Sequence, residues 1–457
     1  MNSHASTTKG EQFKFLRPWL GQGLIISEGD HWKSHRKLLN PAFNVQLFTS
    51  FVPIMNDNIA IMMKRIEKAV KIEMERSTAA AAAELDIRPL MKDLSLDIVC
   101  ETSLSASVGA QLSTTDRKEY IEPVKRATIL FAKRLMNPFV HNDLIYSLTP
   151  DGRENAAVIK QIHGFVKKLA TQRKATIEAE RGKSLNCKPE LNRKESTEDE
   201  EDFGGTKKRK YAFFDSLLQA HWDNPKDFTE KDILEEVNAL MFAGQDSTSI
   251  TLTMALLLIA EDRRVQAKIV AELEEVFSGE DDPLNCAITL EHARHMRYLE
   301  MVIKEALRLY SSAANTAKKI EKDITVNGHR IPAGTSALIL FSILHKDPEV
   351  FPQPEKFIPE RFNENEKWSN LNSRPYAYIP FSAGPRACPG QRFSVLEMKL
   401  VIGSILRRYH LVAVTRREQV KIGISVVLAV RSKVVIRFED RAAARERESY
   451  RGIAGGS

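Results

Sequence analysis

From about residue 44 to residue 310, apolar positions recur at helical spacing and turn signals are few. The stripe Leu299, Val302, Ile303, Ala306, Tyr310 is the clearest case, one apolar face of an amphipathic helix. A second long helix is expected from about Glu235 to Ala260. Alternating or β-branched runs come late, at Ala337 to Ile343, Leu411 to Val414, Ser425 to Val430 and Val434 to Phe438. The pattern predicts a mainly α protein with minor, mostly C-terminal β structure. Glu178 to Lys210 is nearly devoid of apolar residues and reads as a mobile linker between two helices, with Ala79 to Ala83 a smaller case. The expected organisation is a polar N-terminal segment over residues 1–20, one domain over 21–438 and a disordered tail over 439–457.

With 457 residues and 43% hydrophobic content, the chain can bury a large core. Its four cysteines are well separated and form no C-x-x-C pair, which excludes a disulfide framework or a four-cysteine zinc site and fits a reducing compartment. The first twenty residues carry no apolar signal core, and the longest apolar run, Met254 to Ala260, is far short of the ~20 residues that span a bilayer. The net charge of +7 is spread along the chain without aromatic-interleaved basic clusters, so a nucleic-acid partner is not expected.

The chemistry concentrates in Phe381-Ser-Ala-Gly384-Pro-Arg386-Ala-Cys388-Pro389-Gly390. Two glycines allow tight turns, and Pro389 stands where a helix can begin, followed by the apolar pattern Phe393, Leu396, Leu400, Val401, Ile405. A lone cysteine is commonly a buried inert residue. One at a helix N-terminus gains from free amides and the helix dipole, which favour thiolate, a soft ligand that suits iron.

This F-x-x-G-x-R-x-C-x-G stretch resembles the haem-binding loop of the cytochrome P450 family. The resemblance implies a P450 fold, haem b held non-covalently with Cys388 as axial ligand, Phe381 packed beside it and Arg386 on a haem propionate. Glu305 and Arg308, three apart in a helix, would by themselves be a weak surface pair. With Arg361, in a proline-rich stretch that resembles the family's meander, they match its structural Glu-Arg-Arg network. Trp32 and Arg36 share one face of a basic helix and resemble the family's propionate-binding pair. Lys318 stands where the family more often has Arg.

On the predicted long helix, Ala239, Ala243 and Ser247 make a stripe of small residues, and Gly244 to Thr248 interrupt the apolar pattern. Small-residue helix packing would explain this without chemistry. The segment also resembles the family's A-G-x-D-T-T sequence, which implies Asp246, Ser247 and Thr248 as catalytic residues in proton delivery to dioxygen, with Ser247 replacing the usual Thr. Ala243 occupies the position of a Glu that esterifies haem in many members, so the haem is expected to be extractable.

Further stretches, such as Met296 to Tyr310, resemble the family-4 branch of microsomal monooxygenases. That resemblance implies insertion of one atom of O2 into a C–H bond of a lipophilic substrate: a fatty acid, hormone or xenobiotic. It implies electrons from NADPH through NADPH-cytochrome reductase, with cytochrome b5 as a second donor, and a place on the cytoplasmic face of the endoplasmic reticulum with peripheral membrane contact. The reductase is expected near Arg386, Arg392, Lys399, Arg407 and Arg408, and Ser311 to Ala314 are expected to help line the substrate site. Compared with the family, the chain reads as shortened at its N-terminus, so a non-catalytic haem-binding fragment is the alternative function.

Overall fold

The computed structural model describes residues 8–76, 82–112, 115, 117–186, 213–363, 374 and 376–441. The principal helices are α1 (Gly29–Leu39), α2 (Phe48–Arg76), α3 (Ile87–Leu104), α4 (Glu122–Met136), α5 (Pro150–Asn186), α6 (Glu230–Glu261), α7 (Arg297–Leu309) and α8 (Gln391–Arg408). The strands are β1 (Ala82–Asp86), β2 (Asn315–Lys319), β3 (Ile324–Val326), β4 (His329–Ile331), β5 (Ser336–Leu340), β6 (Tyr409–Ala413), β7 (Ile422–Ile424), β8 (Leu428–Val430) and β9 (Val435–Asp440). The largest described sheet has the order β1-β9-β6, all antiparallel, with Leu85 opposite Ile436 and Leu411 opposite Phe438. The remaining strands form the pairs β2-β5, β3-β4 and β7-β8. No helix among the described residues is long and apolar enough to cross a membrane.

Two apolar cores organise the helices, and α6 runs through both. Its first half, with Val237, Met241 and Phe242, packs with α3, α4, α5 and the N-terminal segment. Its second half, Leu252 to Ala260, is apolar on nearly every side and sits among α2, α7, α8 and the β1-β9-β6 sheet, as a helix without a polar face must. The polar interruption at Gly244 to Thr248 falls at the seam between the cores.

Several boundaries differ from expectation for identifiable reasons. Residues 1–20 are not simply a polar lead-in, because Phe15, Leu16, Trp19 and Leu20 are buried in the first core. Of the Ala79 to Ala83 tract, Ala82 and Ala83 pair in β1 with Glu439 and Phe438; residues 77–81 lie outside the described residues. The same pairing draws Glu439 and Asp440 out of the expected tail, and Arg441 donates to the carbonyls of Leu406 and Tyr409; residues 442–457 lie outside the described residues. Helix α5 carries past Glu178 to Asn186, and the rest of the expected linker lies outside the described residues. The run at Ala337 to Ile343 leaves the sheet at Leu340 and turns into a short helix, while Ser425 to Val430 resolves into the turn and second strand of a hairpin.

Candidate active site

The cysteine loop is closed by backbone. Cys388 N–H donates to Phe381 O at 2.9 Å, and Ser382 and Gly384 adopt the left-handed conformations that the tight turn needs. Helix α8 starts three residues after the cysteine, so the N–H groups of Gly390 and Gln391 reach the sulfur. Cys388 is exposed on one side and hemmed by protein on the others. That crowding raises the thiol's pKa above its ordinary value despite the two amides and Arg36. The expected thiolate is therefore not set by the protein alone; coordination to a metal deprotonates a thiol outright.

Helix α1 lies against this loop. Arg36 Nη2 donates to Ala387 O at 3.0 Å, and the Arg386 guanidinium sits 4.5 Å from the Trp32 ring centroid. Arg386 also donates to Ser27 O, yet its Nε is buried and finds no hydrogen-bond partner among the described residues. Lys318, in β2, and Lys9, which bridges to that strand, converge on Arg386. Burial, then Arg386 and Lys318, push Lys9 down to about 7. Burial pushes Arg386 down to about 10, and burial with Arg386 lowers Lys318. Among the described residues, Glu28 is the acid that moderates Lys9 and Arg386.

On α6, a capping box between Thr229 and Asp232 starts the helix. Ala243 is exposed and Gly244 and Ser247 are half-buried, so this face is open where the rest of the segment is covered. Gly244 is required by packing: a Cβ there would lie 2.6 Å from Val99 Cγ2 on α3. Ser247 Oγ donates to Ala243 O at 2.6 Å. Asp246 is buried beneath this face and pairs with Lys92 Nζ of α3 at 2.8 Å. Thr248 is also buried and does not share the open face. Nearby, both amide atoms of Gln245 and the Tyr120 hydroxyl are buried without partners among the described residues, and Asp246 contributes, after burial and Cys100, to raising the Tyr120 pKa. Such orphans are where ordered water resides.

The Glu305 network is fully buried. Arg308 donates to both Glu305 oxygens at 2.7 and 2.8 Å, and Arg361 Nε to Oε1 at 3.3 Å. The arginines also hold the carbonyls of His345, Lys356 and Gln353, which pins the segment leading to the cysteine loop onto α7.

Residues 2–435 match the family model described as cytochrome P450. The chain belongs to the cytochrome P450 family. It is 34% identical to human cytochrome P450 4V2 over 97% of this chain and 78% of that protein. It is 34% identical to cytochrome P450 4c21 of Blattella germanica, over 91% of this chain and 76% of the relative. Cytochrome P450 4c3 of Drosophila melanogaster is 32% identical over 96% of this chain and 78% of its own length. This P450 is thus a monooxygenase, an oxidoreductase of the haem-thiolate class, and its mainly α fold with small antiparallel sheets is the family's.

The residues present fit a haem. Cations gathered around one acid, with an orphaned Arg386 Nε, suit a ligand bearing carboxylates, and the small open face of α6 suits a flat one. Lys9, Glu28 and Lys92 escaped the sequence reading because they lie outside the motifs. Only the register of Lys9 beside Lys318 and the packing of α3 on α6 reveal them. The expected basic docking cluster is largely internal: Lys399 and Arg407 are buried on carbonyls, Arg408 pairs with Glu67, and only Arg392 of the five is exposed. Exposed Lys33 and Lys37 instead join Arg36 and Arg392 around a groove of about 690 Å³. Of Ser311 to Ala314, Ser311, Ser312 and Ala314 are buried, with Leu428 N–H donating to Ser312 O.

Proposed function

We propose that this P450 holds haem b through Cys388 and inserts one oxygen atom into a C–H bond of a lipophilic substrate. The observation that carries the reading is the gathering of Lys9, Lys318, Arg36 and Arg386, the last with an Nε that finds no hydrogen-bond partner among the described residues, beside a loop that leaves Cys388 open. Lys9, Lys318, Arg386, Trp32 and Arg36 would hold the propionates. When bound, the haem supplies dioxygen binding and activation, aided by electron donation from the thiolate. Asp246 would carry the proton, released from Lys92 by side-chain rotation, with water at Gln245 and Tyr120 as its supply. Ser247, on the open face, would hold that proton at its hydroxyl on the side that faces the cofactor. Thr248 supports the helix behind it.

Electrons would come from NADPH through NADPH-cytochrome reductase or cytochrome b5, both docking at Lys33, Lys37 and Arg392. Between α4 and α5, Met136, Phe139, Leu144, Ile145 and Leu148 are all exposed, Phe139 at 87%. An apolar patch of this kind supports peripheral contact with a membrane, here the cytoplasmic face of the endoplasmic reticulum.

The test is a carbon monoxide difference spectrum of the reduced protein, followed by NADPH-driven product formation with a reductase and a lipophilic substrate panel. A thiolate-type spectrum that Cys388→Ser abolishes, with product formed, is the expected result. A thiolate spectrum without NADPH consumption would support a non-catalytic haem protein instead. An unchanged spectrum in Cys388→Ser would remove the axial ligand assigned here.

A further inference from the structure

Away from the cysteine, α1 and the start of α6 bring together His31, His35 and Asp232, with one candidate ligand atom from each all within 4.8 Å of one another. The spacing is the reason: His31 and His35 are four apart on α1, so their side chains stack on one face, with ring centroids 3.9 Å apart. Asp232 lies in the first turn of α6, one turn before Glu236. None of these groups belongs to the haem-facing set.

The second observation is how His35 is held. The residue is 4% exposed, and Nδ1 lies 2.7 Å from Glu236 Oε1. A carboxylate only accepts, so Nδ1 carries the proton and, in the neutral ring, Nε2 offers a lone pair. Glu236 is itself fixed, since Leu24 N–H donates to its other oxygen at 3.0 Å. A buried carboxylate that orients a histidine toward further donors is the arrangement that supports a metal-ligating imidazole. His31 is exposed and donates to Gln22 O through Nε2 at 3.2 Å, a contact that leaves its other nitrogen as a donor to a metal. Asp232 uses Oδ2 in the Thr229 capping box, which keeps its carboxylate in place.

We propose that His31, His35 and Asp232 form a site for a borderline divalent cation of the zinc class, oriented by Glu236 and completed by water. Two imidazoles and one carboxylate favour Zn2+ or Cu2+ over Mg2+ or Ca2+, which prefer all-oxygen ligands. The candidate ligand atoms lie within 4.8 Å of one another, and the exposed His31 can rotate toward the other two. The ion would staple α1 to α6. Because α1 also carries Trp32 and Arg36, the staple would stiffen the helix that meets the cysteine loop.

The test uses untagged, haem-loaded protein stripped of metal. Zn2+ is titrated in competition with a chromophoric chelator, and thermal midpoints are read with and without the ion. The expectation is one Zn2+ per chain, a raised midpoint, and no effect of Mg2+ at the same concentration. His31→Ala and Asp232→Asn should each weaken binding at least tenfold and abolish the midpoint shift, with haem content unchanged because His31 is exposed and Asn retains the cap. No Zn2+ binding by the unaltered chain, equal competition by Mg2+, or binding weakened less than tenfold in both variants would each overturn the site.

Discussion

The Arg386 guanidinium stacks 4.5 Å from the Trp32 ring centroid while its Nε finds no hydrogen-bond partner among the described residues. The stack orients the group at a cost that only an anion recovers, since a buried donor left unmet costs about 1–3 kcal/mol. Arg386→Leu should therefore lower haem retention severalfold. It should also relieve the repulsion on Lys9 and Lys318, so the haem-free protein should lose no stability. The ratio of haem to protein after gel filtration, with melting of the haem-free chain, checks both. Full haem retention in the variant would separate Arg386 from the propionates.

At the oxygen face, Ser247 has the hydroxyl but not the β-methyl that stiffens threonine at χ1. Its Oγ already donates to Ala243 O at 2.6 Å, so the rotamer is held by one hydrogen bond alone. Ser247→Thr should raise the product formed per NADPH consumed, and Ser247→Ala should lower it, each by a few-fold, with haem content unaltered. Equal coupling in all three proteins would exclude a role for this hydroxyl.

Much of this was legible because it is local. The cysteine loop, the i, i+3 pair of Glu305 and Arg308 and the polar break in α6 are written in consecutive residues, and the structure places each in an element of the expected type. Partners from distant parts of the chain were not legible. Lys92 lies 154 residues from Asp246, and nothing in its own neighbourhood marks it. The exposure of charges was misjudged for the same reason. Lys399 and Arg407 read as surface cations, but their heads find carbonyls of the segment before α7, which makes them core residues. The C-terminal boundary failed because Glu439 and Asp440 are polar yet hold a central strand between β1 and β6, where backbone pairing outweighs side-chain character.

The Glu305 network yields a stability prediction. Removing its carboxylate leaves Arg308 and Arg361 facing each other in the core, each fully buried. Breaking a buried pair from one side costs roughly 3–5 kcal/mol. Glu305→Gln should lower the thermal midpoint and the yield of haem-loaded protein, and Arg361→Lys, which keeps the charge but loses the planar fork, should do so by less. A Glu305→Gln protein melting with the original chain would show the network to be dispensable.

Glu397, in the second turn of α8, gives a pH dependence with a definite sign. Its side chain is buried, and among the described residues its one hydrogen bond comes from Ser95 Oγ of α3 at 3.1 Å. Burial pushes its pKa from 4.5 up to about 8, against which Ser95 pulls only weakly. The folded chain therefore keeps this proton over a range in which the unfolded chain has lost it. Its contribution to stability is complete below about 4.5 and is lost as pH rises toward 8, after which it changes no further. Glu397→Gln keeps the shape and the Ser95 contact but does not titrate. Relative to that variant, the original protein should lose thermal stability progressively between pH 5 and about 8, by up to a few kcal/mol, and then run parallel to it. Thermal midpoints of both proteins measured across this range decide the matter. Parallel curves from pH 5 upward would mean that Glu397 is already ionised in the core and would overturn the assignment of this proton.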